Sequence, residues 1–196
     1  MKILDAQKST LDNLADYQRI NVIGTSGSGK STFAKSLAEA LQLPYFEMDQ
    51  LFWKPNWVES ADEEFLPKVE QVAACPQWVL DGNYSRSFPI KLKRAQLLVW
   101  IDLPFLTTTY RVTRRAIQRS LSQTELWPDT GNRESLKKSF FSKDSVIWWS
   151  ITHYQSTGVK YEQLMRSEAY GDIAFLRFTS RKQIKRLLNS GSASGQ

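Results

Sequence analysis

The fold is decided by the stretch Gly24-Thr25-Ser26-Gly27-Ser28-Gly29-Lys30-Ser31, a glycine-rich turn that ends in a lysine and a hydroxyl. Its spacing, G-x-x-x-x-G-K-[ST], is that of a P-loop, in which glycines let main-chain N–H groups turn inward around a phosphate chain. Lys30 adds a cation at the β- and γ-phosphates, and the Ser31 hydroxyl binds Mg²⁺. The motif predicts a site for a nucleoside triphosphate, and we take ATP with Mg²⁺ as the expected cofactors.

The residues on either side of the P-loop supply the strand and the helix that this motif requires. Residues 19–23 indicate a buried strand, and residues 30–41 indicate a helix with its apolar side chains on one face. This helix directs the partial positive charge of its N-terminal end at the same phosphates. We therefore expect the donor to be bound by the eight residues of the motif and by Thr32, which follows them.

Strands and helices alternate along the rest of the chain. Further strands are predicted over residues 44–48, 78–80, 97–101 and 173–178, with helices between them. Apolar strands that alternate with helices indicate a parallel sheet covered on both faces. The predicted class is therefore α/β, a three-layer α/β/α P-loop NTPase fold with a five-stranded parallel sheet. We interpret residues 1–18 as an N-terminal appendage, 19–189 as one domain and 190–196 as a flexible tail.

Side chains near the predicted helix ends give further expectations. Ser60 with Glu63, and Ser180 with Gln183, have the spacing of a capping box. Asp102 comes directly before a Leu-Pro pair and a helix, so we predict that it caps that helix rather than taking part in chemistry.

Composition limits the classes of function. Of the 196 residues 41% are hydrophobic, so a folded domain with a sizeable core is expected. The single cysteine, Cys75, excludes an intrachain disulfide and fits a reducing, cytoplasmic location. No run of residues is long enough to cross a membrane, and the N-terminus lacks the apolar region of a signal peptide.

The net charge of +6 is concentrated in one segment. Residues 107–143 hold eight Lys and Arg against three Asp and Glu, which leaves +5. Such a segment is either a solvated basic face or a lid, here about residues 122–142, that folds over phosphates, and beside a P-loop we favour the lid. Nucleic-acid binding is another use of this charge, which we do not favour because no RRM, KH or zinc spacing is present.

Two carboxylates follow strands that are predicted beside the P-loop strand. Asp49 and Asp81 come at the carboxyl ends of these strands, the edge at which α/β sheets bind ligands. Either can orient the hydroxyl of an acceptor, or hold Mg²⁺ together with Ser31. The alternative for each is a structural role as the cap of a helix or turn.

Cations and aromatic rings complete the predicted site. Arg115 and Arg119 lie four residues apart on one helix face and can clamp phosphates or stack on a base, and Arg133 enters from the lid. Further residues flank the predicted acceptor-binding region, about residues 49–75, and suit a planar ring, although packing of the rings against helices explains them equally well. These flanking residues are Trp53, Trp57, Tyr84 and Arg86.

The sequence resembles the adenylate-kinase-like P-loop proteins known as FlaR-type topology modulation proteins. The likeness covers residues 19–166 and rests on three stretches: the P-loop, the run Glu47-Met48-Asp49-Gln50-Leu51-Phe52-Trp53 with Trp57, and the run Trp78-Val79-Leu80-Asp81-Gly82-Asn83-Tyr84. The resemblance implies a fold of the nucleoside-monophosphate-kinase type, an acceptor-binding region after the second strand and a lid that carries arginines.

The resemblance also implies roles for single residues. Arg115 is similar to the lid arginine of adenylate kinases that stacks on adenine, and Arg119 to the one that contacts phosphate. Arg133 is similar to a further lid arginine, and Thr179 occupies the place of their adenine-contacting loop.

Other positions depart from the adenylate kinase pattern. Ser85 stands where those enzymes have an acceptor-binding arginine in their D-G-F-P-R motif, and Arg86 comes one place later. Glu47 and Asp49 look like the acidic pair at a strand end of shikimate kinases. This second likeness keeps a non-nucleotide acceptor open.

The primary hypothesis is an ATP·Mg²⁺-dependent phosphotransferase, a kinase, that acts on a small acceptor, with a nucleoside monophosphate favoured. Lys30, Asp81 and the three arginines are the expected catalytic groups. The alternatives are a kinase of a non-nucleotide hydroxyl compound and a nucleotide-dependent regulator that binds DNA. The sequence predicts no oligomeric state.

Overall fold

The computed structural model describes residues 2–135 and 145–191. Residues 136–142 of the predicted lid and 192–196 of the predicted tail lie outside this range. Within it, six parallel strands form one central sheet and two short strands form a hairpin. The strands are β1 (Lys2–Leu4), β2 (Arg19–Gly24), β3 (Tyr45–Glu47), β4 (Trp53–Lys54), β5 (Val58–Glu59), β6 (Trp78–Asp81), β7 (Leu97–Ile101) and β8 (Ala174–Phe178).

The order of strands in the central sheet is β1-β8-β7-β2-β6-β3, so the strand that leads into the P-loop lies in the middle. The five predicted strands are confirmed as β2, β3, β6, β7 and β8. Because all of them run parallel, their carboxyl ends meet at one edge of the sheet. That edge carries the P-loop and Asp81. Asp49 follows β3 at the same edge, two residues after the last residue of the strand.

Helices cover both faces of the sheet. They are α1 (Leu11–Leu14), α2 (Lys30–Leu41), α3 (Met48–Phe52), α4 (Asp62–Ala74), α5 (Phe88–Leu92), α6 (Phe105–Ser122), α7 (Val146–Thr152), α8 (Tyr154–Arg166) and α9 (Arg181–Asn189). Alternate strand residues belong to two apolar cores, with Val22 and Val99 in one and Ile23 and Trp100 in the other. This two-sided burial confirms the three-layer α/β/α class. No helix in the described ranges is long and apolar enough to cross a membrane.

The first residues of the chain add an edge strand that the sequence analysis did not predict. β1 pairs in parallel with β8, so that Ile3 lies opposite Phe175. The Thr10 side chain caps α1, and Leu11 and Leu14 of this helix are buried in the domain core. The predicted appendage therefore packs onto the domain.

Two predicted helix caps are wrong. α4 begins at Asp62 without a side-chain cap, and Ser60 is buried, with its N–H donating to the Phe52 carbonyl at 2.9 Å. Asp102 does not cap α6, because its carboxylate accepts hydrogen bonds of 2.9 and 2.5 Å from the Arg177 guanidinium. The capping box predicted for the last helix is confirmed in α9.

Candidate active site

The P-loop connects β2 to α2 and has a backbone that requires its glycines. Gly27 and Gly29 have positive φ angles of 79° and 90°. A Cβ atom at Gly27 would lie 2.2 Å from the Thr108 carbonyl oxygen, and one at Gly29 would lie 2.9 Å from the Arg111 guanidinium. Conformation and space therefore both favour glycine at these two positions.

Arg111 is a contact of the P-loop that the sequence analysis did not single out. Its Nη1 donates to the Ser28 carbonyl at 3.0 Å, and burial, followed by the nearby Arg181, lowers its pKa. Arg111 lies one turn of α6 before Arg115, which lies one turn before Arg119. The three arginines therefore form a row that starts at the P-loop. Their four-residue spacing is visible in the sequence and indicates that Arg111 shares a helix face with Arg115 and Arg119.

Asp81 lies at the last position of β6, opposite Val22 of β2, and is only 2% exposed. Burial raises the pKa of its carboxyl group, whereas the Lys30 cation and the Ser31 hydroxyl lower it. The Tyr45 hydroxyl donates a long hydrogen bond of 3.4 Å to Asp81 Oδ2. The structure thus brings together Asp81, Lys30 and Ser31.

The oxygen atoms around Ser31 fit a magnesium ion that also binds a nucleotide. Asp81 Oδ1 is buried and has no hydrogen-bond partner within residues 2–135 and 145–191. Mg²⁺ commonly binds one or two carboxylates together with phosphate oxygens and waters, and the P-loop hydroxyl adds a further ligand. Ser31 and Asp81 would therefore hold the ion. The described ranges contain no group of three or more His, Cys, Asp or Glu side chains suited to a metal.

Asp49 lies in the first turn of α3 and belongs to a group of neighbouring charges. The Tyr84 hydroxyl donates to Asp49 Oδ1 at 2.6 Å. Burial raises the pKa of Glu47, and Asp49 and Asp81 raise it further. The Asp49 carboxylate also favours the charged form of Arg115 in α6 and so acts to raise the pKa of this guanidinium. The three carboxylates therefore interact with one another, and the Arg115 guanidinium interacts with Asp49.

Arg115 and Arg119 differ in their partners. Arg119 Nη1 donates to Glu134 Oε1 at 3.1 Å, so its charge is matched within the lid. Arg115 Nε is buried and lacks a hydrogen bond to any residue that the structure describes. Burial, followed by repulsion from Arg119, lowers the pKa of Arg115. Within the described ranges, Arg115 thus differs from Arg119 in leaving one buried donor without a partner.

The predicted aromatic residues divide into two groups. Trp53 and Trp57 pack edge to face with ring centres 5.4 Å apart, and Trp57 packs in the same way against Trp127 at 5.7 Å. Tyr84 instead packs against Phe52, at 4.7 Å. The three tryptophans, which we call the tryptophan cluster, join the acceptor-binding region to the lid.

The lid is fastened to the β4–β5 hairpin through Asn132, which is fully buried. Its Oδ1 accepts from the Trp57 N–H at 2.7 Å, and its Nδ2 donates to the Lys54 carbonyl at 2.9 Å. Trp127 Nε1 donates a longer bond of 3.4 Å to Glu47. The roles of Trp127 and Asn132 could not be predicted from the sequence, because their partners lie 75 to 80 residues away along the chain.

The remaining predicted site residues lie at the margins or have structural partners. Thr32, Thr179 and Arg133 are exposed, and the Arg133 carbonyl accepts from Trp57 Nε1 at 3.1 Å. Arg86 forms a 2.6 Å ion pair with Asp62 of α4 and lies over the Phe52 ring. Within the described ranges, no hydrogen bond or ion pair joins these four side chains to Asp49 or Asp81.

Asn83, in the turn after β6, is a further residue of the site for which the sequence predicts no role. Its Oδ1 accepts from the Gly24 N–H at 3.0 Å, and its Nδ2 donates to the Gly24 carbonyl. The turn after β6 is therefore bonded directly to the first residue of the P-loop. The Asp-Gly-Asn-Tyr run in the sequence therefore marks this turn. Its asparagine contacts the P-loop, and its tyrosine contacts Asp49.

Comparison with known protein families gives a match to one part of the chain. The shikimate kinase family matches residues 26–70, a stretch that contains most of the P-loop, Asp49 and the β4–β5 hairpin. No curated protein matches the chain.

Three solved kinases are similar to this chain at low sequence identity. A shikimate kinase from Bacteroides thetaiotaomicron is 16% identical, with a TM-score of 0.50, over 88% of this chain and 95% of its own. A gluconokinase from Sinorhizobium meliloti 1021 is 17% identical over 89% of each chain, with a TM-score of 0.48. A sugar kinase from Janibacter sp. HTCC2649 is 14% identical over 90% and 95%, with a TM-score of 0.47.

The chain has the fold of the P-loop kinases. Together with the complete P-loop motif, the match to the shikimate kinase family indicates a small-molecule kinase, as the sequence predicts.

Proposed function

We propose that the protein is an ATP·Mg²⁺-dependent kinase that phosphorylates a hydroxyl group of a small molecule. The observation that carries this proposal is the pair of carboxylates beside the P-loop: Asp81 next to Lys30 and Ser31, and Asp49 hydrogen-bonded to Tyr84. Such a pair separates a donor side from an acceptor side, as phosphoryl transfer requires.

Each group has a defined task in the proposed reaction. Lys30 and the loop amides bind the triphosphate, and Ser31 and Asp81 would hold Mg²⁺, which neutralises phosphate charge when bound. Asp49 orients the acceptor hydroxyl and takes its proton. The hydroxyl oxygen forms a bond to the γ-phosphorus while the bond to the bridging oxygen breaks, leaving ADP. Arg115 stabilises the negative charge on the transferred group.

The charges on the acceptor side favour a hydroxyl over a phosphate as the accepting group. Two carboxyl groups, Glu47 and Asp49, lie on this side, and two of the cations near them have partners: Arg86 pairs with Asp62, and Lys35 lies 4.0 Å from Glu47. A carboxylate is suited to accept the proton of a hydroxyl and repels an anionic acceptor. The shikimate kinase match over residues 26–70 supports the same class of reaction.

A nucleoside monophosphate is the second candidate acceptor. Arg115 supports it, because its Nε has no hydrogen-bond partner among residues 2–135 and 145–191, and so does the resemblance to adenylate kinases and FlaR-type proteins. In that case Arg115 would bridge the donor and acceptor phosphates, and the tryptophan cluster would lie near the base.

The test is a panel of acceptors with ATP labelled at the γ-phosphate, scored for phosphorylated product rather than for loss of ATP. The panel contains sugars, polyols, nucleosides and nucleoside monophosphates. We expect a hydroxyl compound to give product and Asp49→Asn to reduce its turnover far more than the binding of ATP. An unchanged acceptor KM and kcat in Asp49→Asn would contradict the assignment. A salt-sensitive gel shift with DNA and no labelled product would favour the regulator instead.

A further inference from the structure

Lys91 has an unusual environment for a charged residue, since none of its surface is exposed. Its Nζ donates to the Gly82 carbonyl at 2.7 Å and to Met48 Sδ at 3.2 Å, and lies 4.8 Å from the centre of the Phe88 ring. No carboxylate of the described residues forms an ion pair with it. Burying an ammonium group without an ion-pair partner is costly, and an apolar side chain would fill the same space more cheaply.

The two hydrogen bonds of Lys91 end next to the two carboxylates of the site. Gly82 follows Asp81 at the end of β6, and Met48 precedes Asp49 in α3. The two segments are in direct contact, because a Cβ atom at Gly82 would lie 2.6 Å from Met48 Cβ. Lys91 therefore connects the segment that carries Asp81 with the segment that carries Asp49.

The charged groups that act on Lys91 are Asp81, which favours its cation, and Lys160 of α8, which disfavours it. Burial is the larger influence and lowers the pKa of Lys91 to about 7. The amine keeps three hydrogens when charged and two when neutral, so it is able to donate to the Gly82 carbonyl in both forms.

We propose that Lys91 is a positioning residue for phosphoryl transfer, because it fixes the turn after β6 against α3 and thereby sets the distance between Asp81 and Asp49. The inference rests on the proposed function. The side chain touches neither ATP nor acceptor in this scheme, and it acts through the backbone of Gly82. The contact is specific, since a methionine of similar length has no donor for that carbonyl.

Two variants separate positioning from a role in stability alone. Lys91→Met fills the space but donates no hydrogen bond, and Lys91→Gln keeps one neutral donor. We expect Lys91→Met to lower kcat/KM for the acceptor at least tenfold, to change the KM for ATP less than twofold, and to keep or raise the Tm because a buried charge is removed. Lys91→Gln should recover part of the acceptor kcat/KM. Lys93→Met, at an exposed position one residue past α5, is the matched control.

Hydrogen exchange gives a readout that does not need activity. The Gly82 N–H donates to the Val22 carbonyl at 3.2 Å, so exchange in residues 81–84 reports on the turn. Lys91→Met should speed this exchange about tenfold and leave β7 unchanged. Unchanged exchange together with unchanged acceptor kinetics would overturn the proposal, as would a fall in Tm with no kinetic effect. If the wild-type protein phosphorylates no acceptor, the proposed function fails, and exchange alone then decides whether Lys91 holds the turn.

Discussion

The Tyr84 hydroxyl donates a 2.6 Å hydrogen bond to Asp49 Oδ1 and so joins the turn after β6 to the first turn of α3. Burial raises the pKa of Tyr84, and the Asp49 carboxylate raises it further, so the phenol stays protonated and acts as a donor. In the proposed reaction, this bond fixes one oxygen of the carboxylate, and the other oxygen accepts from the acceptor hydroxyl. Hydrogen bonds to charged groups contribute about 1.5–3 kcal/mol.

Tyr84→Phe should therefore lower kcat/KM for the acceptor by about tenfold, which corresponds to roughly 1.4 kcal/mol of lost orientation. The ring is kept, so its packing against Phe52 and the fold should be preserved. Steady-state kinetics with the acceptor and ATP varied in turn will measure this, and the KM for ATP should change little.

Tyr110→Phe is the matched control, because Tyr110 is 66% exposed on α6. It should behave as the wild-type protein in both kinetic series. If Tyr84→Phe and Tyr110→Phe have the same acceptor kinetics, the orientation of Asp49 does not depend on Tyr84.

Lys30→Ala tests the donor side. Lys30 stands at the start of α2, where the P-loop amides and the helix N-terminus already attract phosphate, and its cation also acts on Asp81. We expect turnover to be lost and the affinity for Mg·ATP, measured by calorimetry, to fall at least tenfold. Circular dichroism should show an unchanged fold.

The control for this experiment is Lys182→Ala, which removes an exposed lysine of α9. It should bind and turn over ATP as the wild-type protein does. Phosphoryl transfer by Lys30→Ala at the parent rate would show that the P-loop is not the donor site.

Local patterns in the sequence predict the elements of this fold well, and long-range contacts explain what they miss. Motif spacing and apolar runs predict the P-loop and the five core strands, because both depend on neighbouring residues. β1 is too short and too exposed to give a pattern: its first two residues are exposed and its third is half-buried. Ser60 has the spacing of a cap, yet its N–H pairs with Phe52 in the turn around the hairpin, a contact that spacing alone does not reveal.

In the candidate site, too, local patterns could be predicted and long-range contacts could not. Asp81 could be placed beside the P-loop because parallel strands end at one edge. The bonds from Asn132 to Lys54 and Trp57 could not be predicted, since they join segments more than 70 residues apart. The burial of Lys91 could not be predicted, because a lysine in a short helix usually faces solvent, whereas this one donates to the buried Gly82 carbonyl.

Asn132→Ala should loosen the lid from the β4–β5 hairpin. It removes two hydrogen bonds and leaves the Trp57 N–H and the Lys54 carbonyl without these partners, at a cost of about 1–3 kcal/mol. For a protein of this size each kcal/mol lowers the Tm by about 2–4 °C. Because the tryptophan cluster would open, fluorescence should shift to longer wavelength even below the Tm.

Asn189→Ala makes the same chemical change at an exposed position at the end of α9 and should leave the Tm and the fluorescence unchanged. A Tm for Asn132→Ala equal to that of this control would mean that the lid is not held by Asn132. Faster ATP hydrolysis without acceptor is also expected of Asn132→Ala, because a loosened lid admits water to the site.

Asp81→Asn should stabilise the free protein and inactivate it. Burial raises the pKa of Asp81 in the folded state above its unfolded value of about 3.9, so folding favours the protonated form. The stability gained from this preference is present below the unfolded pKa and is lost as the pH rises through the folded pKa. Asparagine stays neutral, so the Tm of Asp81→Asn should exceed that of the wild-type protein at pH 7, and the difference should shrink toward pH 4.

Thermal scans in EDTA from pH 4 to pH 8 will measure this difference, with Asp172→Asn as a control at an exposed carboxylate. Mg·ATP should reverse the order, because ligand binding stabilises only the protein that can hold the ion. A lower Tm for Asp81→Asn at every pH would mean that the ionised carboxylate is itself stabilising, through Lys30, and that its burial is not the dominant influence. Retained turnover would remove Asp81 from the magnesium site.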